Sequence, residues 1–241
     1  MAFDANASPW IDVGCGATTD GAARAAYRVV CWPAAAALRA ALGLPWKDLH
    51  ITLGFKDHDV HGKPKGLETL KESTPGSTAA TVGETLAATK KLVKSNPASP
   101  ILAPLLELTI AAADALADAP SQLLGRRLLC KVRLVTADFG AVVEAAGAAL
   151  ELLSGDEPAC KSGSRDREPL AIWYTFRGLA LVKLQEHEAA LADLSAALGI
   201  MRLNAAFTEQ QVVKLHRAAV LCRSALATPS PGAFFKFPRT A

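Results

Sequence analysis

Between Pro100 and Ala227 apolar residues recur at three-to-four spacing, and the pattern predicts helices over Ile101–Ala119, Gln122–Thr136, Phe139–Leu153, Leu170–Leu184, Glu188–Ile200 and Thr208–Ala227. Pro120, Gly155–Pro158, the Ser162–Arg167 loop and Asn204 punctuate them. The N-terminal third follows another rhythm. Ala26–Trp32 (AYRVVCW) is a run of β-formers stopped by Pro33, which predicts a buried strand. Pro33 suits the start of a short helix, Ala34–Leu44, closing at Gly43, and Leu49–Phe55 predicts a second strand. Upstream, Trp10–Gly14 reads as a short strand entering a glycine-containing loop, GCGATTDG, that lacks both a GK[ST] ending and GxGxxG spacing and so does not read as a nucleotide loop.

These patterns give an α+β chain: a strand–helix–strand lobe over residues 1–71, a linker at 72–100, a helical array over 101–230 and a tail at 231–241. The linker is a compositional shift, with a helix predicted from Val82 to Lys94 between ends rich in Pro, Gly and Ser. Of the 241 residues 51% are hydrophobic, much of that alanine, and only 6% are aromatic, which suits closely packed helices. A net charge of +3 permits a polyanionic partner without requiring one. The five cysteines are scattered, with no CxxC pair, which argues against a disulfide framework or a zinc site. The N-terminus has no signal-like segment and no stretch reaches 18 apolar residues, so the expectation is an intracellular, cytoplasmic protein off the membrane.

The chemistry concentrates in Leu44–Gly66. In an extended segment His50 and Thr52 share a face, about 7 Å apart, while Leu49, Ile51 and Leu53 are expected to point into a core. A hydroxyl and an imidazole side by side can both hydrogen-bond a phosphate, and the imidazole can move a proton near neutral pH. Lys56, Lys63 and Lys65 add positive charge nearby. His58 and His61 sit in a charged loop; their His-x-x-His spacing brings no distant third ligand, so they read as cleft residues rather than a metal site. His187 and His216 read as surface or rim residues.

The stretch from Tyr27 to Gly66, with RVVCWP, ALRAALGLPWKDL, HITLGF and DHDVHGKPKG, resembles the two-histidine (2H) phosphoesterase superfamily, in its Swiss Army Knife RNA-repair-like branch. The resemblance implies two pseudo-symmetric lobes, each giving a His-x-[Ser/Thr] motif to a central cleft. It implies His50 as general acid or base and Thr52 as a phosphate binder; Lys56, His58, His61 and Lys63, by their place beside that motif, are expected on the substrate side. It further implies metal-independent, cofactor-free cleavage of 2′,3′-cyclic phosphates at RNA ends or of other cyclic phosphodiesters. One HxT motif is present where the family has two. The second lobe was lost, lies outside this sequence or comes from another chain, or else His61 stands in for its histidine. Leu170–Ile200 in turn resembles a tetratricopeptide repeat, with Tyr174, Leu181 and Leu194 as large residues and Gly178, Ala190 and Ala197 as small ones where helices approach. A weaker copy spans Leu123–Leu153. That resemblance implies a protein partner for the helices. Two other readings stand beside the phosphoesterase: a non-catalytic adaptor carrying a degenerate lobe, and RNA binding without cleavage.

Overall fold

A computed structural model describes residues 9–72, 76–154, 168–205 and 207–227. The expected Gly155–Pro158 and Ser162–Arg167 loops, Cys160 and the tail lie outside these residues. The chain divides into two compact units, Met1–Asp138 and Phe139–Ala241. It is an α+β protein, and no helix among the described residues is long and apolar enough to cross a membrane.

Unit 1 opens with β1 (Ile11–Asp20) and β2 (Ala23–Cys31), an antiparallel hairpin. The segment expected to be a glycine loop is thus strand. Its glycines serve the sheet: Gly14, at φ 148°, follows the bulge beside Val13, and Gly16 lies under the ring of Tyr27. The reversal comes later, at Gly21 with φ 59°. Helix α1 (Pro33–Ala41) starts on its proline and ends before Gly43, and β3 (Leu49–Lys56) returns antiparallel to β2. After a 3-10 turn at Leu67–Thr69, β4 (Leu70–Glu72) pairs with β1, giving the order β3-β2-β1-β4.

One face of the hairpin is the core: Ile11, Val13, Ala25, Tyr27, Val29 and Cys31 are fully buried. Helix α3 (Leu102–Ala115) covers it near Cys31, whose sulfur lies 3.6 Å from the Leu105 carbonyl oxygen and 3.4 Å from Thr109 Oγ1. Burial there pushes the Cys31 thiol up to about 12, which removes it as a nucleophile. The 72–100 segment carries α2 (Ala79–Ser95), which packs on α3, on α4 (Ala119–Val135) and on β1, burying Val82, Leu86 and Val93. Its entry is fixed to the sheet, since the Asp12 backbone N–H donates to Ser77 Oγ at 2.9 Å while the Asp12 carboxylate holds Arg28 at 2.6 Å.

The expectation that Leu49, Ile51 and Leu53 enter a core is not met. Ile51 and Leu53 are 51% and 61% exposed, and Leu49 is half-buried. The reason is topological: β3 is an edge strand, and no described element covers its outer face. A register shift adds to this. Thr52 opposes Tyr27 and Gly54 opposes Ala26, so Leu53 has no partner on β2 and forms a bulge.

In unit 2, α5 (Phe139–Ser154), α6 (Glu168–Lys183), α7 (His187–Arg202) and α8 (Glu209–Ala227) each pack on the next. Leu181, Leu194, Leu198, Met201 and Leu215 fill their core among Ala171, Ala190, Ala197 and Ala219. Gly178 sits where α6 meets α7, since a Cβ there would be 3.0 Å from Leu194. Beside it Arg177 grips Asp193 with two bonds of 2.7 and 2.8 Å.

The same chemical change should have opposite signs at two glycines of unit 1. A Cβ at Gly16 would lie 2.6 Å from Tyr27 Cε2, so Gly16→Ala should cost about 1–3 kcal/mol through overpacking. Gly83 in α2 has open space around it, and Gly83→Ala should gain about 0.5–1 kcal/mol of helix propensity. Urea unfolding of the two variants measures both.

Candidate functional site

Across the ladder His50 opposes Val29 and Thr52 opposes Tyr27, which puts both on the face of β2 that is buried. Because β3 is the edge, that face opens to solvent beyond it. The chain then turns back over it. Asp57 (φ 68°) and Gly62 (φ 72°) bend the loop, and the fully buried Val60 anchors it. Gly66 closes it against Asp48, whose carboxylate would clash at 2.7 Å with any Cβ there; Asp48 in turn accepts from Trp46 Nε1 at 3.2 Å.

The fold-back creates a cavity of about 300 Å³ whose lining includes Lys47, His50, Asp59, His61, Lys63 and Lys65. At its base Lys65 is only 6% exposed. Its Nζ is 3.4 Å from His50 Nε2, 3.3 Å from Asp59 Oδ1 and 5.5 Å from the centroid of the Tyr27 ring. An ammonium has no lone pair, so Nε2 is the acceptor and the ring proton of neutral His50 sits on Nδ1. Tyr27 also meets His50 edge to face, with ring centroids 5.5 Å apart and planes at 63°. Burial first, then the Lys65 charge, pushes His50 below its ordinary value of 6.5; Lys47 adds to this, while the Asp48 backbone and Asp59 act in the other direction. Desolvation pulls the Asp59 carboxyl upward, yet Lys65 and then His61 outweigh it and hold the group below its ordinary range. His61 Nδ1 stands 3.9 Å from Asp59 Oδ2, with the ring open to solvent.

The residues singled out in the sequence separate into two sets. His50, His61 and Lys63 line the cavity, and Lys63 also reaches Asp20 Oδ1 at 3.7 Å. Thr52, Lys56 and His58 are exposed and lie outside that lining. Sequence reasoning grouped Lys65 with the basic loop but gave it no role of its own, weighed Asp59 only as a neighbour of the His-x-x-His pair, and passed over Tyr27. The hairpin register was the available signal for Tyr27, since pairing AYRVV with HIT brings the phenol beside the imidazole. Among the described residues no group of three His, Cys, Asp or Glu is placed to hold a metal ion.

The Lys65–His50 contact has a measurable consequence. In an NMR titration His50 should protonate below pH 6.5, because burial disfavours its charged form and Lys65 beside it disfavours a second positive charge. In Lys65→Met the midpoint should move upward, toward the ordinary value. An unmoved midpoint would show that the two groups are not coupled.

No curated protein and no solved structure matches the chain. Residues 2–61 match the family model described as Swiss Army Knife, 2H phosphoesterase domain. That stretch carries β1, β2, β3, His50, Asp59 and His61, and leaves Lys63 and Lys65 beyond its end. Over residues 2–61, then, this chain is similar to a Swiss Army Knife, 2H phosphoesterase domain.

Proposed function

We propose that unit 1 is a phosphoesterase that cleaves cyclic phosphodiesters of the 2′,3′-cyclic phosphate type, including those at RNA ends, with His50 and His61 as its two proton-transfer groups. The observation that carries this reading is that both histidines line one cavity, with a buried lysine between His50 and Asp59 and with His61 beside that same Asp59. In-line displacement at phosphorus needs a base on the attacking oxygen and an acid on the leaving one. His50, kept neutral, is suited to the base. In the proposed step Lys65 turns its ammonium from Nε2 to a non-bridging phosphate oxygen. The freed Nε2 takes a proton from water as the water oxygen bonds to phosphorus. The P–O bond to the sugar breaks, and His61 protonates the departing oxygen. Lys47 and Lys63 hold the remaining phosphate charge. The fold-back of the 57–66 loop is what allows a histidine only eleven positions from His50 to serve as its partner.

One observation favours the alternative, a non-catalytic adaptor whose helical unit engages a protein: Thr52, the hydroxyl expected on the phosphate, is exposed and outside the cavity lining. Turnover separates the two. Hydrolysis of a 2′,3′-cyclic nucleotide should fall by about 10²–10⁴-fold in His50→Ala and in His61→Ala, the range general acid–base groups contribute. The acid limb of kcat/KM should lie below pH 6.5 and move up in Lys65→Met. Absence of turnover in the wild-type protein, or turnover indifferent to His50, would leave the adaptor.

A further inference from the structure

Helices α2 and α4 pack on one another and turn their apolar residues inward, Val82, Leu86 and Val93 from one and Leu128, Leu129 and Val132 from the other. The surface left outside is basic. Lys90 and Lys94 lie four residues apart on α2, Arg127 and Lys131 four apart on α4, and all four are exposed. That spacing sets each pair on one helix face with about 6 Å between Cβ atoms. The two rows are near neighbours: partial burial, then Arg127, Lys90 and Lys94 in turn, hold the Lys131 ammonium below its ordinary value. Glu84 is the sole acidic residue in the sequence of either helix. Adjacent Arg126 is paired with Asp114, and Arg133 with Glu107 and Asp138, but among the described residues no carboxylate pairs with Lys90, Lys94, Arg127 or Lys131. Like charges at this spacing disfavour a helix, so helix stability does not account for them.

We propose that this α2–α4 face binds the phosphate backbone of a single-stranded nucleic acid. Two rows of cations on rigid helices offer several phosphate contacts at once. The face is poorly suited to a lipid surface, because Val135 at the end of α4 is the one large apolar side chain exposed on either helix, and an interfacial helix needs an apolar side to insert. The proposal rests on the phosphodiester reading of the cavity in the same unit, to which it adds a polymeric substrate body, and it is tested by binding rather than turnover.

The full chain is titrated with fluorescent oligouridylate and oligodeoxythymidylate over a range of salt. The expected result is binding that weakens with salt in the wild type and in His50→Ala alike. In Lys90→Gln/Lys94→Gln/Arg127→Gln/Lys131→Gln the slope of log K against log salt should flatten by about 3, from about 0.7 per phosphate contact on single strands. A charge-keeping set, with the three lysines changed to Arg, should bind like the wild type, and circular dichroism checks that both sets are folded. Equal binding by the Gln set would overturn the proposal. So would no binding of either oligonucleotide at low salt, and so would capture of polyglutamate or anionic vesicles in preference to both. Absence of turnover in the wild-type protein with its binding intact would sink the cavity's chemistry and leave this surface standing.

Discussion

Removing an ammonium from water costs several kcal/mol unless charge and hydrogen bonds replace the lost hydration, and Lys65 meets that demand with three neighbours. Asp59 supplies the opposite charge, His50 a lone pair, and Tyr27 the negative face of its ring. Each neighbour is constrained in return. Asp59 must come back over the sheet, which draws the 57–66 loop across β3 and forms a wall of the cavity. Tyr27 must lie flat against β1, which only Gly16 leaves room for. His50 must present Nε2 inward and stay neutral. One buried cation thereby sets the loop, the ring packing and the protonation state of the residue with the most chemical potential in the chain.

The position of β3 sets how that arrangement meets solvent. In the middle of the sheet His50 would be sealed in the core with Val29; at the edge its ring is half-buried and the cavity is open. The same placement leaves Ile51, Leu53 and Phe55 exposed. Edge strands commonly carry protective charge or a bulge, and here the bulge at Leu53 and the following Lys56 are the local devices present.

Away from the site, connections rather than helices carry the individuality of the fold. After α3, α4 and α6 the chain turns through a left-handed residue that is not glycine, at Ala117, Ala137 and Gln185, each followed by an acid. In every case the acid's backbone N–H returns to a carbonyl five residues earlier, closing the helix end. The recurrence of one turn explains why the helices follow one another at short intervals. The polar grip of Arg177 on Asp193 beside the close approach at Gly178 ties α6 to α7 where alanine-rich faces bury little area each.

The helices were legible because apolar spacing is a local property: α3 to α8 start and stop within a few residues of their predicted limits, and β2, α1 and β3 do likewise. His50, His61 and Lys63 were legible as candidates because residue type and proximity in sequence already mark them. What the sequence did not determine was which partner each residue meets. A GCGATTDG segment reads as a loop until pairing with β2 makes it strand, since glycine's local preference is overridden by the ladder. Apolar alternation in HITLGF predicts a covered face, yet coverage depends on strand order, which no local pattern contains. In the sequence Lys65 is one of three lysines that add positive charge near His50. Only the tertiary return of the 57–66 loop onto Tyr27 and His50 buried its charge, because the free energy of a charge is fixed by its surroundings and not by its place in the chain.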